Sequence, residues 1–423
     1  MRKAILISAI IILWIPLPLS VMKFLAKKEI IKPALVLRID WPLTGAFRVP
    51  KDPVLSIKNA LDGTFQRGFD AYFNYEMFGR PSMTRIYNQI LHSFFKSTNT
   101  TQVIVGKGRQ LYEYAYPLAY VEEASSEKKA ELLDNMKSLA LLQKKIGEMG
   151  KLFLVLVSTS KASMYPEYLP NDFARYAAMK KAGAYSENMY EYFISAAKEA
   201  GLEYFDFHDG FLKLKENGMV LYTKGGTHLT GPAATVYYQE VLKVIRNTGR
   251  NIGTLQTVKA TPVWGNAFIE DDDLERVSNF LPKYQRLSAR AQKILFFYKY
   301  LFPKNQFYSY HMETLSVPTD YRPSVFLCGD SSCWYWLYML FGLREWVTRG
   351  EPIFSSVEFS WYNAYITKYP EDIRISDTTD DFRSVLSKDI IIIALNEANI
   401  RPGNSMFTFA KNLLNYIKKT EGE

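Results

Sequence analysis

The sequence predicts an α/β fold, a mostly parallel sheet with helices on both faces, and three observations carry that expectation. Apolar runs of strand length at Leu152 to Val157, Ser324 to Leu327 and Asp389 to Leu395 alternate with stretches of helical periodicity. The last run is continuous in Ile, Ala and Leu from Ile390 to Leu395, the composition of a central strand covered on both faces. The chain, at 423 residues with 48% hydrophobic content, can bury a large core while keeping the balance of a globular fold.

Each element has its own signal. Ser126 to Met149 reads as a charged amphipathic helix ahead of the Leu152 strand. Ser186 to Ala200 reads as another, leading into strand-like Tyr204 to Phe207. Pro232 to Arg246 forms a helix with Thr230 as N-cap and Pro232 in its first turn. Ser324 to Leu327 precedes a helix over Ser332 to Phe341, and Asp389 to Leu395 precedes one over about Ser405 to Lys418. Between roughly residues 249 and 318 the alternation is lost in a polar and aromatic insertion. The expected layout is a signal anchor and basic linker over 1–32, a partly helical lead over 33–100, and an α/β domain over 101–423 that carries the insertion.

The apolar run Val325 to Leu327 continues through Cys328 into Gly329-Asp330-Ser331. A strand that stops, turns through glycine and starts a helix leaves Ser331 where free N–H groups and the helix dipole stabilise an oxyanion. A plain helix-capping serine is the alternative. A serine nucleophile needs a base, and His228, in Thr227-His228-Leu229-Thr230, lies just ahead of its helix. A neutral imidazole with an ordinary pKa of about 6.5 suits that role near neutral pH.

Further short segments occur in order along the chain. They are Gly63-Thr64-Phe65-Gln66, Phe78-Gly79-Arg80, Gly106-Lys107-Gly108-Arg109-Gln110-Leu111 and Lys161-Ala162-Ser163-Met164-Tyr165-Pro166-Glu167. Leu221 to Lys224 then runs into Thr227-His228, followed by Asp273-Leu274, Gly329-Asp330-Ser331 and the run ending at Glu397. In this ordered set, over roughly residues 45 to 415, the chain resembles the SGNH hydrolase-like family of the alginate O-acetyltransferases AlgX and AlgJ. The resemblance implies a polysaccharide acceptor, an acetyl donor supplied by a membrane-bound acyltransferase partner, and a body outside the cytoplasm.

One departure stands out. The family places an aspartate two residues before the histidine, and ordinary SGNH hydrolases place one three residues before; here those positions are Gly226 and Gly225. Loss of the carboxylate that orients the imidazole costs orders of magnitude in serine triads. Asp206, Asp209 or an acid from elsewhere are the candidate substitutes.

The two cysteines, Cys328 and Cys333, flank the serine turn; free buried thiols are the favoured state, and a disulfide clamping the turn is the alternative. Four histidines without zinc-type spacing lead to no expected metal site, and no cofactor is expected. Arg2 and Lys3 precede an apolar stretch from Ala4 to Val21, interrupted only by Pro16 and Pro18, with no cleavage site after it, which reads as an uncleaved signal anchor. Lys23, Lys27, Lys28 and Lys32 follow it; the positive-inside rule alone would keep the body in the cytoplasm, whereas the family resemblance places it in the periplasm or at the cell surface. The net charge of +9 comes without a basic helix or nucleic-acid module, so nucleic acid is not expected; an anionic glycan or anionic lipid headgroups are the better partners, with a plain solvated surface as the equal alternative.

Aromatic residues make up 15% of the chain, and most will be core packing. Trp334 and Tyr362 neighbour the expected site as candidates to stack on sugar rings, Asn363 is the third substrate-binding candidate, and Asn363 or Tyr362 could donate to an oxyanion, with structural hydrogen bonding equally compatible. Asn396 is a further polar neighbour. Taken with the family resemblance, the serine and histidine point to an O-acetyltransferase acting on a secreted polysaccharide through a Ser331 acyl-enzyme with His228 as base. A carbohydrate esterase is the second reading, and a glycan-binding or assembly protein that has lost its triad is the third, favoured by the missing aspartate.

Overall fold

The computed structural model describes residues 16–27, 30, 43, 50–264, 273–278, 280, 308–340, 348–362, 365–369, 373–375 and 381–422. It divides into two units, Met1–Thr100 with Glu275–Lys304, and Thr101–Leu274 with Asn305–Glu423.

The first unit is helical: α1 (Pro16–Lys27), α2 (Ile57–Leu61), α3 (Thr64–Glu76) and α4 (Arg80–Ile90), the last continuing as a π-helical turn over Leu91–Phe95. Ser56 caps α2 by accepting from Asn59 N. Gly63 and Gly79 start α3 and α4 at φ of 77° and 80°, a conformation glycine adopts without a Cβ penalty. Among the described residues no helix is long and apolar enough to cross a membrane. Of the apolar stretch read as an anchor, residues 4–15 lie outside the described residues, and its remainder forms part of α1.

The second unit opens on a two-stranded antiparallel ladder, β1 (Val103–Val105) and β2 (Leu111–Glu113). Its main sheet draws on β3 (Leu152–Ser158) and β4 (Phe205–Asp206), and on strands that follow an intervening pair, β5 (Thr254–Trp264) and β6 (Tyr308–Val317). Those later strands are β7 (Ser324–Gly329), β9 (Ser356–Trp361), β10 (Tyr365–Tyr369), β11 (Ile373–Ile375) and β12 (Ile390–Asn396), with the short β8 (Thr348–Arg349) between β7 and β9 in the chain. The strand order is β11-β10-β9-β7-β12-β3-β4; β9, β7, β12, β3 and β4 are parallel, and β10 and β11 add antiparallel at one edge.

Alternation along the central strands builds two cores. Ile390, Ile392 and Ala394 of β12 join Leu154 and Leu156 of β3 and Val325 and Leu327 of β7 on one face. Ile391, Ile393 and Leu395 join Phe153, Val155 and Phe326 on the other. Both faces are therefore dry, which is why these strands read as continuous apolar runs rather than alternating ones. The helix Gly231–Asn247 packs on the first face, and Ser126–Glu148, Met189–Ala200 and Ser405–Glu421 on the second. The helix expected from Ser186 starts at Met189, because Asn188 and Glu191 form a capping box that fixes its first turn there.

The segment expected to lose all pattern instead carries β5 and β6, paired antiparallel along ten positions, with β8 added in parallel to β6. A bulge between Thr257 and Lys259 shifts the register. An inserted residue flips the side-chain phase, so alternation cannot be read through it.

Candidate active site

Ser331 stands where β7 leaves the sheet. Gly329, the last residue of β7, pairs with Ala394 of β12 on one side and Trp361 of β9 on the other, so the turn emerges at the carboxyl edge between two strands, where ligand crevices of such sheets lie. Asp330 fixes the turn. Its Oδ1 accepts from Ser332 N at 2.9 Å and from the Ser332 hydroxyl, while Oδ2 accepts from Asn396 N at 2.7 Å and Asn399 Nδ2 at 3.0 Å. A carboxylate buried to 1% exposure is tolerable only with such a set of donors, and here it staples the turn to the end of β12. A Cβ at Gly329 would lie 2.3 Å from Cys333 Sγ, so the turn requires glycine. Cys328 and Cys333 are both buried and not in a disulfide. Ser331–Cys333 form a 3-10 turn that continues into the helix Trp334–Leu340; Phe341, the expected helix end, lies outside the described residues.

The loop carrying His228 is held from several sides. Thr230 N donates to Leu221 O at 2.7 Å, the Thr230 hydroxyl to Val220 O at 2.7 Å, and Thr230 caps the helix Gly231–Asn247. Beneath the loop the buried Lys161 ammonium donates to four carbonyls, Leu111 O (2.8 Å), Thr223 O (2.6 Å), Lys224 O (3.0 Å) and Gly226 O (3.1 Å). Three of these belong to the stretch immediately before His228. The result is that His228 Nε2 lies 3.0 Å from Ser331 Oγ, across 103 residues of chain.

His228 Nδ1 lies 2.8 Å from Asp273 Oδ2. The other oxygen of Asp273 accepts from Thr227 N at 2.9 Å and Leu274 N at 2.8 Å. The acid absent from Gly225 and Gly226 is thus supplied from the start of a separate short helix, Asp273–Val277. Asp206 and Asp209 do not take the role. Asp206 accepts from the Tyr190 hydroxyl (2.6 Å) and His208 N (2.9 Å), and Asp209 stands in the first turn of the helix His208–Glu216.

Tyr362 follows β9, donates its N–H to Gly329 O at 2.9 Å and sits at φ 50°, a left-handed conformation uncommon for a tyrosine. Burial, reinforced by the Asp330 charge and opposed by hydrogen bonding to the Ser331 side chain and backbone N–H, pushes its hydroxyl up to about 12. The hydroxyl therefore stays protonated at neutral pH, accepting from Ser331 and keeping its own proton to donate. Trp334 packs against the core, edge-on to Phe359 at 5.3 Å. Asn363 lies outside the described residues. Asn396 serves the frame: its N–H holds Asp330 and its Nδ2 donates to Thr159 O at 2.7 Å.

Sequence reasoning did not find Glu113, at the end of β2, whose carboxyl is raised by burial, with the charges of Asp273 and Asp330 adding and His228 opposing. It shares a cavity of about 560 Å³ with Tyr116, Tyr362 and Asn399. A neighbouring cavity of about 730 Å³ is lined by Tyr120, Tyr190, Lys180, His208 and Glu397. There Glu397 accepts from Ser160 N (2.9 Å) and the Ser160 hydroxyl (2.6 Å), and His208 Nδ1 lies 3.3 Å from Glu397 Oε2.

A line of close contacts from carboxylate to imidazole to serine hydroxyl, beside a protonated tyrosine, has the parts needed for acyl transfer. Comparison with known proteins gives a family. The SGNH hydrolase-like domain of acetyltransferase AlgX matches residues 105–331, more than half of the chain. Among solved structures, the O-acetyltransferase domain of Pseudomonas putida AlgJ is 14% identical, over 74% of this chain and 99% of that one, with a TM-score of 0.43. Pseudomonas aeruginosa AlgX is 14% identical over 75% of this chain and 68% of its own, with a TM-score of 0.42. Bacillus cereus PatB1, in a structure with a sulfonyl adduct, is 8% identical over 74% and 98%, with a TM-score of 0.43. Similarities this low carry no functional weight. No curated protein matches the chain.

Proposed function

Because this chain belongs to the SGNH hydrolase-like acetyltransferase family of AlgX, we propose that it transfers acetyl groups to hydroxyls of a secreted or cell-surface polysaccharide through an acyl-enzyme on Ser331. Nδ1 of His228, facing the Asp273 carboxylate, carries the ring proton, which leaves Nε2 with a lone pair toward Ser331 Oγ. As Oγ attacks the acetyl carbonyl, its proton passes to Nε2 and Asp273 stabilises the imidazolium. The carbonyl oxygen becomes an oxyanion beside the Tyr362 hydroxyl and the Ser331 N–H. Collapse of the intermediate breaks the bond to the donor's leaving group, which takes the proton from Nε2. A sugar hydroxyl then attacks the ester, gives its proton to Nε2, and Ser331 regains that proton as it departs.

The observation that carries this reading is the contact chain Asp273–His228–Ser331 at 2.8 and 3.0 Å. The binding-protein alternative drew its support from a missing acid, and a carboxylate at Nδ1 withdraws that support. The acetyl donor, in this reading, comes from a membrane-bound acyltransferase partner, residues 4–21 anchor the chain, residues 101–423 form the working domain, and the body lies outside the cytoplasm. Intact-mass measurement after treatment with an activated acetyl ester should show one acetyl adduct on the native protein and none on Ser331→Ala. Undiminished labelling of Ser331→Ala overturns the proposal. Product analysis with glycan present separates transfer from the ester hydrolysis that water would give.

A further inference from the structure

Two polar side chains beside the serine are left without a partner. Glu113 ends β2, and Tyr116 stands in the first turn of the helix Ala115–Val121 that follows it. Both line the cavity of about 560 Å³ that reaches Tyr362, whose hydroxyl accepts from Ser331. Tyr116 is buried to 7% exposure and Glu113 is half-buried, yet among the described residues neither its hydroxyl nor the Glu113 carboxyl has a hydrogen bond or an ion pair. Leaving such groups unsatisfied costs free energy, and the nearby Asp330 shows the opposite treatment, taking four donors. Polar groups held this way at the wall of a cavity are satisfied by what binds in it.

The charges of the cavity select the kind of ligand. Glu122 pairs with Lys128 at 2.6 Å, and Glu397 accepts from the Ser160 hydroxyl and faces His208 at 3.3 Å. Glu131 and Arg401, the other charged groups of this wall, are exposed and opposite in sign. Glu113 is the inner carboxyl that no cation faces. The charges of Asp273 and Asp330 act on it in the same sense as its burial, and His228, which opposes them, already faces Asp273. In the neighbouring cavity Lys180 pairs with Glu191 at 3.0 Å, while Lys107 and Lys181 are exposed. A uronate beside Glu113 therefore meets like charge without compensation. An uncharged sugar avoids that repulsion and supplies what the two side chains lack. Its hydroxyls donate to Glu113, and a hydroxyl oxygen accepts from Tyr116, whose O–H burial keeps protonated.

We propose that Glu113 and Tyr116 form the acceptor subsite and select an uncharged sugar over a uronate. The assignment rests on Ser331 forming the acyl-enzyme proposed above; the acceptor hydroxyl gives its proton to His228 Nε2, and Ser331 Oγ takes that proton as its ester bond breaks. The test loads the full chain with an activated acetyl ester and follows loss of the adduct, above the rate in water, on adding methyl β-glucoside or methyl β-glucuronide. The two differ only in a hydroxymethyl replaced by a carboxylate. The glucoside should discharge the native acyl-enzyme about tenfold faster than the glucuronide, the scale of one unit-charge repulsion near solvent. Glu113→Gln should largely abolish that preference. Tyr116→Phe should slow discharge by the glucoside about three- to tenfold and keep the preference. Each ratio is taken on one acyl-enzyme, so changes in folding or in acylation cancel. Absence of an adduct on the native protein overturns the acyl-enzyme and the subsite together. With the adduct present, equal discharge by the two glycosides, faster discharge by the glucuronide, or a Glu113→Gln protein that keeps the native ratio overturns the subsite alone.

Discussion

Replacing Asp273 by alanine removes three contacts at once, the 2.8 Å contact to His228 Nδ1 and the hydrogen bonds from Thr227 N and Leu274 N. Loss of the orienting acid in a serine triad costs up to ~10⁴ in kcat. The Asp273 side chain is 25% exposed, so water can occupy part of the vacated place, and a loss of about 10²–10³ is the expectation. Hydrogen bonds to a charged acceptor are worth ~1.5–3 kcal/mol when buried, and with this exposure the expected loss of stability is about 1–2 kcal/mol in all. The domain should therefore stay folded and lose rate, with the acylation step hit hardest. Single-turnover acetylation by an activated ester, read alongside Tm, separates the two effects. Gly226→Asp is the companion variant: with Nδ1 already engaged and Gly226 O held by Lys161, it should leave the rate unchanged or lower it. An Asp273→Ala protein that acylates at the native rate, or a Gly226→Asp protein that is faster, would refute the assignment of the acid.

Tyr362→Phe deletes the donor hydroxyl without disturbing the backbone bond to Gly329, and acetyl transfer should fall ~10–10³-fold with Tm little changed; full activity would remove Tyr362 from the oxyanion site. Lys161→Met leaves four carbonyls without their shared donor, which should cost roughly 3–5 kcal/mol in chemical denaturation and abolish transfer through displacement of the His228 loop. For His208, burial works against the charged form, but the Glu397 hydrogen bond and charge outweigh it, and its pKa is raised. The sign follows from the higher native value: its contribution to stability is full below the unfolded pKa of about 6.5 and is lost as pH rises through the native pKa. Tm should thus decline through that window, and His208→Asn should flatten the decline; an unchanged profile would show that the pair is not titrating there.

The parts of the fold that could be read along the chain are those whose cause is local. Unbroken apolar runs become central parallel strands because both faces of the sheet are dry, and Thr230 with Pro232 marks a helix start wherever the rest of the chain goes. The serine turn was visible for the same reason, since strand, Gly329, Asp330 and Ser331 are consecutive. The β5–β6 ladder was not, because its bulge breaks the phase that a strand reading relies on.

The sequence by itself determined a sheet, a serine at its carboxyl edge and a histidine before a helix. Only the tertiary structure decided that the two meet at 3.0 Å and that Asp273 completes the line, although Asp273-Leu274 was already among the ordered segments of the family resemblance. A triad carboxylate has to be near Nδ1 in space and nowhere in particular along the chain, so neighbours such as Asp206 looked plausible while a residue 45 positions beyond the histidine did the contacting. Lys161 teaches the same lesson from the opposite side. Lysine in sequence reads as surface, and only closure of the chain around it shows an ammonium buried to 1% exposure, where four carbonyls offset its desolvation and thereby fix the loop that carries the base.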